Sequence, residues 1–432
     1  MAESGIASKV KQYISNLSIY FLASLIPMLL SLVSNPFVAN NMSPHDYAIV
    51  GYYSAFISLF TPFINFFFIH YYSKKFYELN EQKRIELKAI IFKSFISLSF
   101  GMTFIATAIV FLYSLLANKA TELSFFPFAI LAMFRIPLSC VYTLELIDFR
   151  MRRKSKAFFY YSITNGVIVT SLMLSLVVGC KLGAIGHLSA SLLANIFLFI
   201  FIVIKNRYLL RYPFEWTIVK EAALFCWPIV IAAMLAFFGS GYDKILLERM
   251  GDLTVLGVYT VGVTIAAHVN VFADSINSTF QPDIFENIVK RNFKKTFQIV
   301  LIKMAMLLVI VSSFIILAPY IIDILTFGRY VSSTTFAIIA SLASLTSMLY
   351  YSLNQITIAL GYSSVTLVNK IIGSILNVLT FNILITHFGA IGAAWGLVVS
   401  FLNDFIVGVI LVMYKYRKEH HCDNPNQCIM SN

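Results

Sequence analysis

Twelve stretches of mostly apolar residues, separated by short polar segments, divide the sequence from one end to the other. A membrane-spanning helix needs about 20 such residues. Charged residues make up only 12% of the chain and the mean hydropathy is +0.82, which does not suit a surface that faces water. We therefore predict an all-α integral membrane protein with twelve transmembrane helices. The predicted spans are residues 14–38, 47–69, 89–116, 123–147, 157–179, 183–204, 217–238, 253–280, 297–327, 332–360, 364–387 and 390–414.

Lys and Arg residues are distributed unequally between the two sides of the predicted membrane. The loops and ends on one side carry 22 of them and those on the other side carry five. Because cytoplasmic loops hold the excess of Lys and Arg, both termini are predicted to be cytoplasmic. We count Lys88 among these loop residues. Lys93, Lys220 and Lys303 lie near cytoplasmic helix ends, and we expect their side chains to extend to the membrane surface.

Two short matches at one spacing indicate an internal repeat. The sequence Gly-Ala-Ile-Gly at 183–186 recurs at 389–392, and a Gly-x-Tyr pattern at 51–53 recurs at 257–259, each 206 residues later. We therefore predict a duplicated unit of six spans, with residues 1–206 as the N-terminal bundle, 207–414 as the C-terminal bundle and 415–432 as a cytoplasmic tail. Because six is an even number, the two bundles are parallel, and we expect a central cleft between them.

Three segments carry a resemblance to a known family. They read YDKILL at 242–247 before LGVY at 256–259, SLNQITIALG at 352–361, and HFGAIGAA at 387–394. The chain resembles the polysaccharide-export branch of the multidrug/oligosaccharidyl-lipid/polysaccharide (MOP) flippase superfamily, and within it the O-antigen (Wzx-type) flippases. The family often has Arg after the Asp of the first segment, where this chain has Lys244.

The resemblance implies a function and a location. The function is movement of undecaprenyl-diphosphate-linked oligosaccharide from the cytoplasmic to the periplasmic leaflet by alternating access, as part of lipopolysaccharide biosynthesis. The location is the bacterial inner membrane, among membrane lipids, with the polymerase and the chain-length regulator of the same pathway as further partners. We expect no nucleic-acid partner, because the net charge of +12 lies mostly in the cytoplasmic loops.

Polar residues recur along one face of several spans, which indicates that these faces avoid lipid. Tyr and Asn side chains suit a sugar, because sugar rings stack on aromatic rings and hydroxyl groups need donors and acceptors. The alternative is that small and hydroxyl residues simply let helices pack closely. The eighth span carries such a stripe in Thr260, Thr264, Asp274 and Ser278. The predicted substrate contacts are Tyr20, Ser24, Asn35, Asn65, Arg135, Ser139, Tyr142, Tyr351, Asn354, Lys370 and Asn377.

Arg135 is the most informative of these residues. It lies about 18 Å from the cytoplasmic end of the fourth span, near the middle of the bilayer. A cation there needs an anionic partner or water, and an arginine fork fits a diphosphate through paired N–H donors. The alternative is a structural ion pair with Asp274 or Glu145.

Carboxylates inside the spans are candidates for ion coupling, because a buried carboxylate can bind and release a proton as access alternates. We predict this role for Asp274, Asp404 and Glu145. For Lys370 and Asp404 the alternative is that they pair with each other, since unpaired charges are costly in a membrane. Proton coupling, sodium coupling and the absence of coupling all remain open.

Other functional classes fit less well. A multidrug extruder of organic cations should have an acidic pocket rather than one carrying Arg135 and Lys370. A polysaccharide polymerase or glycosyltransferase needs a catalytic constellation, and the longest loop, 71–88, contains none. The five cysteines and the His420–His421–Cys422 segment with Cys428 lack disulfide or zinc spacing, so we predict no cofactor and no metal.

Overall fold

The computed structural model describes residues 2–116 and 123–421, without the side chains of 2–18, 20, 21, 24, 282, 289, 363 and 419–421. Every regular element in this part of the chain is a helix. The α-helices are α1 (Ala2–Asn41), α2 (Pro44–Asn65), α3 (Phe68–Lys75), α4 (Glu81–Leu116), α5 (Phe128–Met151), α6 (Ser155–Met173), α7 (Gly183–Lys205), α8 (Trp216–Ser240), α9 (Tyr242–Arg249), α10 (Leu253–Val289), α11 (Phe293–Thr326), α12 (Thr334–Ala359) and α13 (Ser363–His421).

The helices account for the predicted spans. Ten helical segments are long and apolar enough to cross a membrane. The last of them, 55 residues long, has room for two spans and is interrupted by non-helical backbone at Gly389. The helix α1, with 40 residues, is long enough for one more. The prediction of an all-α, multi-pass membrane protein with twelve spans is confirmed.

The two repeated Gly-Ala-Ile-Gly segments each begin with a glycine of positive φ. Gly183 has φ 52° and Gly389 has φ 57°, both in the left-handed region that favours glycine. At Gly183 a Cβ atom would lie 2.4 Å from Oδ1 of Asp46, which accepts a hydrogen bond from the backbone N–H of Ala184. A glycine is therefore required where α7 begins, and the matching glycine in α13 supports the internal repeat.

The chain divides into two compact units. Unit 1 comprises residues 1–234 and 324–329, and unit 2 comprises residues 235–323 and 330–432. In unit 1 the buried core joins α4, α5 and α7 through residues such as Phe92, Val141 and Ile202. In unit 2 it joins α10, α11 and α12 through Val269, Val311 and Met348. The repeat boundary between residues 206 and 207 stays a prediction, as does the tail at 415–432, of which residues 422–432 lie outside the described residues.

Two predictions about lysines are wrong. The predicted loop 71–88 is largely helical, with the end of α3 and the start of α4 in it, so Lys88 lies within α4 and is only 4% exposed. Lys303 in α11 is 0% exposed and does not reach the membrane surface. Both ammonium groups are held by side chains of neighbouring helices, because inside the protein a lysine finds acceptors that lipid does not offer.

Candidate functional site

The main pocket of unit 2 follows one face of α10. Its volume is about 370 Å³. The positions that α10 contributes begin at Val263 and end at Asn277 and recur every three or four residues, which is the spacing of one helix face. They extend over about 21 Å at 1.5 Å per residue. The pocket is lined by Ser240, Lys244, Val263, Ala266, Ala267, Asn270, Ala273, Asp274, Asn277, Ala340, Ala343, Ser347, Met348, Tyr351, Leu397 and Phe401.

The chemistry of this lining suits a sugar. Alanines form much of the wall, and Asn270, Asp274 and Asn277 supply amide and carboxylate groups from α10. The ring of Tyr351 is 42% exposed and lies 6.3 Å from that of Phe401, which places two aromatic surfaces at the pocket. Of the predicted residues, Asp274 and Tyr351 are brought together here. Asn270 and Asn277 were not predicted as substrate contacts. The polar stripe that we identified on this span, from Thr260 to Ser278, lies partly on another face of α10.

Lys303 lies directly behind the pocket wall. Its Nζ donates to Oδ1 of Asn277 at 2.6 Å, to Oγ of Ser352 at 2.9 Å and to Oε1 of Gln355 at 3.3 Å. These acceptors are neutral, and the described part of unit 2 places no carboxylate within ion-pair distance of this ammonium. The side chain ties α11 to α10 and α12.

A second polar cluster in unit 2 joins the two halves of α13 on either side of Gly389. Lys370 donates to Oδ2 of Asp404 at 2.6 Å, and Asn377 donates to the other oxygen of the same carboxylate at 3.4 Å. The close approach depends on Gly373, where a Cβ atom would lie 2.1 Å from Oδ1 of Asp404. The pairing of Lys370 with Asp404, one of the two interpretations of the sequence, is confirmed.

A third cluster, in unit 1, is built around Lys88. Its Nζ lies 2.7 Å from Glu145 and 2.9 Å from Asp148, and all three side chains are buried. Asp148 also accepts from Tyr72 at 2.6 Å and from Arg152 at 2.8 Å. Burial, together with the charge of Asp148, raises the pKa of Tyr72, so its hydroxyl remains a donor. Glu145 is thus engaged by Lys88 and is not available to Arg135.

Arg135 differs from these lysines because the described residues of unit 1 offer its side chain no hydrogen-bond or ion-pair partner. It lies on α5, half-buried, and within the described residues of unit 1 it forms neither an ion pair nor a hydrogen bond through its side chain. An intramembrane arginine normally needs an anion or water. The described part of unit 1 therefore leaves the N–H donors of the Arg135 guanidinium unused.

The predicted asparagine contacts are used within the protein. Asn35 donates to the carbonyl of Leu325 at 2.9 Å. Asn65 accepts at 2.9 Å from the backbone N–H of Phe67, where α2 gives way to α3. Asn354 accepts from Thr366 at 3.0 Å and lines a separate, much smaller pocket. These bonds stabilise the helix packing, and a ligand role for the three residues stays a prediction.

The other predicted contacts are on α5 and α1. Ser139 donates to the carbonyl of Ile136 at 2.7 Å, which is a bond within α5. Tyr142 packs against the buried core of unit 1. Tyr20 and Ser24 lie on α1, but their side chains are outside the described residues.

One signal in the sequence points to the lysine clusters. The partners of Lys88 on α5 and those of Lys303 on α12 are each spaced three residues apart, so they lie on one helix face. Each partner of Lys303 follows the corresponding partner of Lys88 by 207 residues, close to the repeat spacing of 206. A repeat search that includes polar pairs can therefore find both sites.

Solved structures show the same fold in membrane transporters. The chain matches the lipid II flippase MurJ in an inward closed conformation with a TM-score of 0.66 and 14% identity, covering 91% of this chain and 87% of that chain. It matches a mutant of the Vibrio cholerae MATE transporter VcmN with a TM-score of 0.56 and 15% identity, covering 97% and 98%. An outward-facing MATE transporter of the MOP superfamily matches with a TM-score of 0.59 and 14% identity, covering 95% and 96%.

Sequence comparison gives the family. None of the curated proteins compared with the chain matches it. The family profile described as "Polysaccharide biosynthesis protein" matches residues 14–288, which is more than half of the chain. This match confirms the family resemblance seen in the sequence, and the chain belongs to the polysaccharide biosynthesis protein family.

Proposed function

We propose that this protein is a flippase that moves an undecaprenyl-diphosphate-linked oligosaccharide, such as an O-antigen repeat unit, across the bacterial inner membrane by alternating access. Transport runs from the cytoplasmic to the periplasmic leaflet, and both termini are cytoplasmic. The family and the fold shared with the lipid II flippase MurJ support transport of a lipid-linked glycan. The observation that carries the proposal is the guanidinium of Arg135 inside a membrane span, which the described residues of unit 1 leave unpaired.

Arg135 supplies the contact for the diphosphate. An arginine stays protonated in apolar surroundings and offers five N–H donors in a planar fork, so it can hold a phosphate oxygen pair through the transport cycle. Because the guanidinium has no ion-pair partner among the described residues of unit 1, no ion pair seen there has to break before the substrate binds. Binding a dianionic group also removes the cost of an uncompensated charge in the membrane.

The pocket of unit 2 supplies contacts for the glycan. Its amide groups match sugar hydroxyls, and Tyr351 and Phe401 offer faces on which a sugar ring stacks. Asp274, which lines this pocket and has no ion pair within the described residues of unit 2, is the carboxylate best placed for ion coupling. Glu145 and Asp404 are already paired with Lys88 and Lys370, so a coupling role there requires those pairs to open.

The experiment is complementation of a strain that lacks its own repeat-unit flippase and makes a compatible glycan. The wild-type gene should restore surface polysaccharide. Arg135→Ala should abolish export, because the contact with the diphosphate is lost. The variant should reach the membrane at the wild-type level, because no described residue of unit 1 loses an ion pair or a hydrogen bond. Arg135→Lys should retain part of the activity, because lysine keeps the positive charge but lacks the planar, paired N–H donors of arginine. Arg207→Ala, the same change at an exposed arginine outside the spans, should export like wild type.

Two results would contradict the proposal. Normal export by Arg135→Ala would show that the guanidinium does not hold the substrate. Resistance to cationic drugs without any restored polysaccharide would favour a multidrug extruder, for which Asp274 would be the substrate carboxylate.

A further inference from the structure

Lys303 fixes the direction in which Asn277 can hydrogen bond. An ammonium group has three N–H donors and no acceptor, and the three oxygens of Asn277, Ser352 and Gln355 take all of them. The oxygen of the Asn277 amide must therefore face Lys303. Its nitrogen is turned away from the ammonium and can only donate.

The other asparagine of the pocket is not fixed in this way. Asn270 accepts from the hydroxyl of Ser344 at 2.7 Å. A hydroxyl can donate or accept, so Asn270 can reverse its amide and keep the bond. Asn277 lies two helical turns, about 10 Å, further along the same face of α10. One end of the pocket thus has a fixed donor, and the other has an adaptable group.

The charge at the fixed end is also unbalanced. The ionisable residues that line the pocket are Lys244 and Asp274, one of each sign. The buried ammonium of Lys303, behind Asn277, adds a positive charge that neutral oxygens do not cancel. In a low-dielectric site such a charge favours a negative group nearby.

We propose that Lys303 is a positioning residue, which holds Asn277 as an obligatory donor and makes this end of the pocket select an oxyanion of the substrate. The oxyanion is either a phosphate of the lipid headgroup or a carboxylate of an acidic sugar. The proposal rests on the proposed function, in that the pocket is taken to contact the lipid-linked glycan. The two residues concerned, Lys303 and Asn277, are not among the substrate contacts that we predicted from the sequence.

The decisive variant is Asn277→Asp in the purified full-length protein. The new carboxylate pairs with Lys303, so the fold keeps its contact, but the pocket loses both the donor and the excess charge. A purely structural role for Lys303 predicts unchanged binding in this variant. The matched control is Asn382→Asp, the same change at an exposed position of α13 that does not line the pocket.

Binding is measured by calorimetry with two probes, undecaprenyl diphosphate in detergent and a soluble disaccharide that contains glucuronic acid. We expect Asn277→Asp to weaken binding of one probe by about tenfold or more, with a melting temperature at or above that of wild type. Loss confined to undecaprenyl diphosphate identifies the headgroup as the oxyanion, and loss confined to the disaccharide identifies the sugar. The control should bind both probes like wild type.

Gln355→Glu provides a second variant that leaves the pocket lining intact. It neutralises Lys303 from behind and should weaken binding of the same probe, even if Asn277→Asp fails to fold. Wild-type affinity in both variants, or no binding of either probe to wild type, would overturn the proposal. If wild type restores polysaccharide export while these variants bind and export normally, only this inference fails. If wild type restores no export, the proposed function fails.

Discussion

Among the described residues, each unit buries one lysine near the start of a long helix, and the two lysines have different partners. Lys88 in unit 1 lies between the carboxylates of Glu145 and Asp148. Lys303 in unit 2 is surrounded by amide and hydroxyl oxygens only. The same type of residue therefore serves as a neutralised structural link in one unit and as an uncompensated charge in the other.

The two lysines have similar surroundings in their units. Lys88 lies on α4 and its partners on α5, whereas Lys303 lies on α11 and its partners on the neighbouring helices α10 and α12. Both arrangements tie consecutive spans together. Neutral partners leave the charge of Lys303 available to the pocket beside it, so the two lysines share a packing role and differ in their electrostatic one.

The largest effect is expected when the neutralised site is broken. Lys88→Met should leave Glu145 buried without its cation and lower the free energy of unfolding by about 3–5 kcal/mol, seen as a lower melting temperature of the purified protein. The double variant Lys88→Met with Glu145→Gln should recover part of this loss, because Asp148 keeps Tyr72 and Arg152. Equal stability of the single variant and wild type would show that the pairs do not hold α4 to α5.

A smaller effect is expected when unit 2 is made to resemble unit 1. Gln355→Glu gives Lys303 a carboxylate and should raise the free energy of unfolding by about 1 kcal/mol, since a charged acceptor binds an ammonium more strongly than an amide does. The control Gln355→Met removes the acceptor and should lower the melting temperature. If the glutamate variant melts below wild type, Lys303 is not an uncompensated cation.

The smallest effect is expected at a lysine on the protein surface. The side chain of Lys75 is 29% exposed and pairs with the more exposed Glu78 at 2.8 Å in unit 1. The hydrogen bond from Lys75 lowers the pKa of Glu78, so any contribution to stability is present above that pKa and is lost as the pH falls through it. Because the pair is solvated, Lys75→Met should leave the melting temperature unchanged at neutral pH. A clearly lower melting temperature would mean that this solvated pair contributes to stability as the buried Lys88 cluster does.

The sequence predicts the spans well because long apolar runs directly reflect the thickness of the bilayer. It also offers the pairing of Lys370 with Asp404 as one alternative, since a lone charge is costly in a membrane. The buried position of Lys303 was not predicted. The sequence shows how near a lysine is to a helix end, but not whether a neighbouring helix offers hydrogen-bond acceptors. Asn277 was missed for the same reason.

The short helix α9 also lay beyond prediction. Its eight residues include two acidic and two basic side chains, so no apolar run marks it. Yet it carries Lys244 to the pocket of unit 2, and its Asp243 accepts from Tyr259. A helix this short is not stable by its local sequence alone, and packing against α13 and α10 stabilises it.

The most direct test of the central claim is a translocation assay in proteoliposomes. Purified protein is reconstituted with undecaprenyl-diphosphate-linked oligosaccharide, and transfer between leaflets is followed by a lectin or glycosidase that reaches only the outer leaflet. We predict rapid transfer with wild type, none above protein-free vesicles with Arg135→Ala, and wild-type transfer with Arg207→Ala. Wild-type vesicles that transfer the lipid-linked glycan no faster than protein-free vesicles would contradict the assignment of this protein as a flippase.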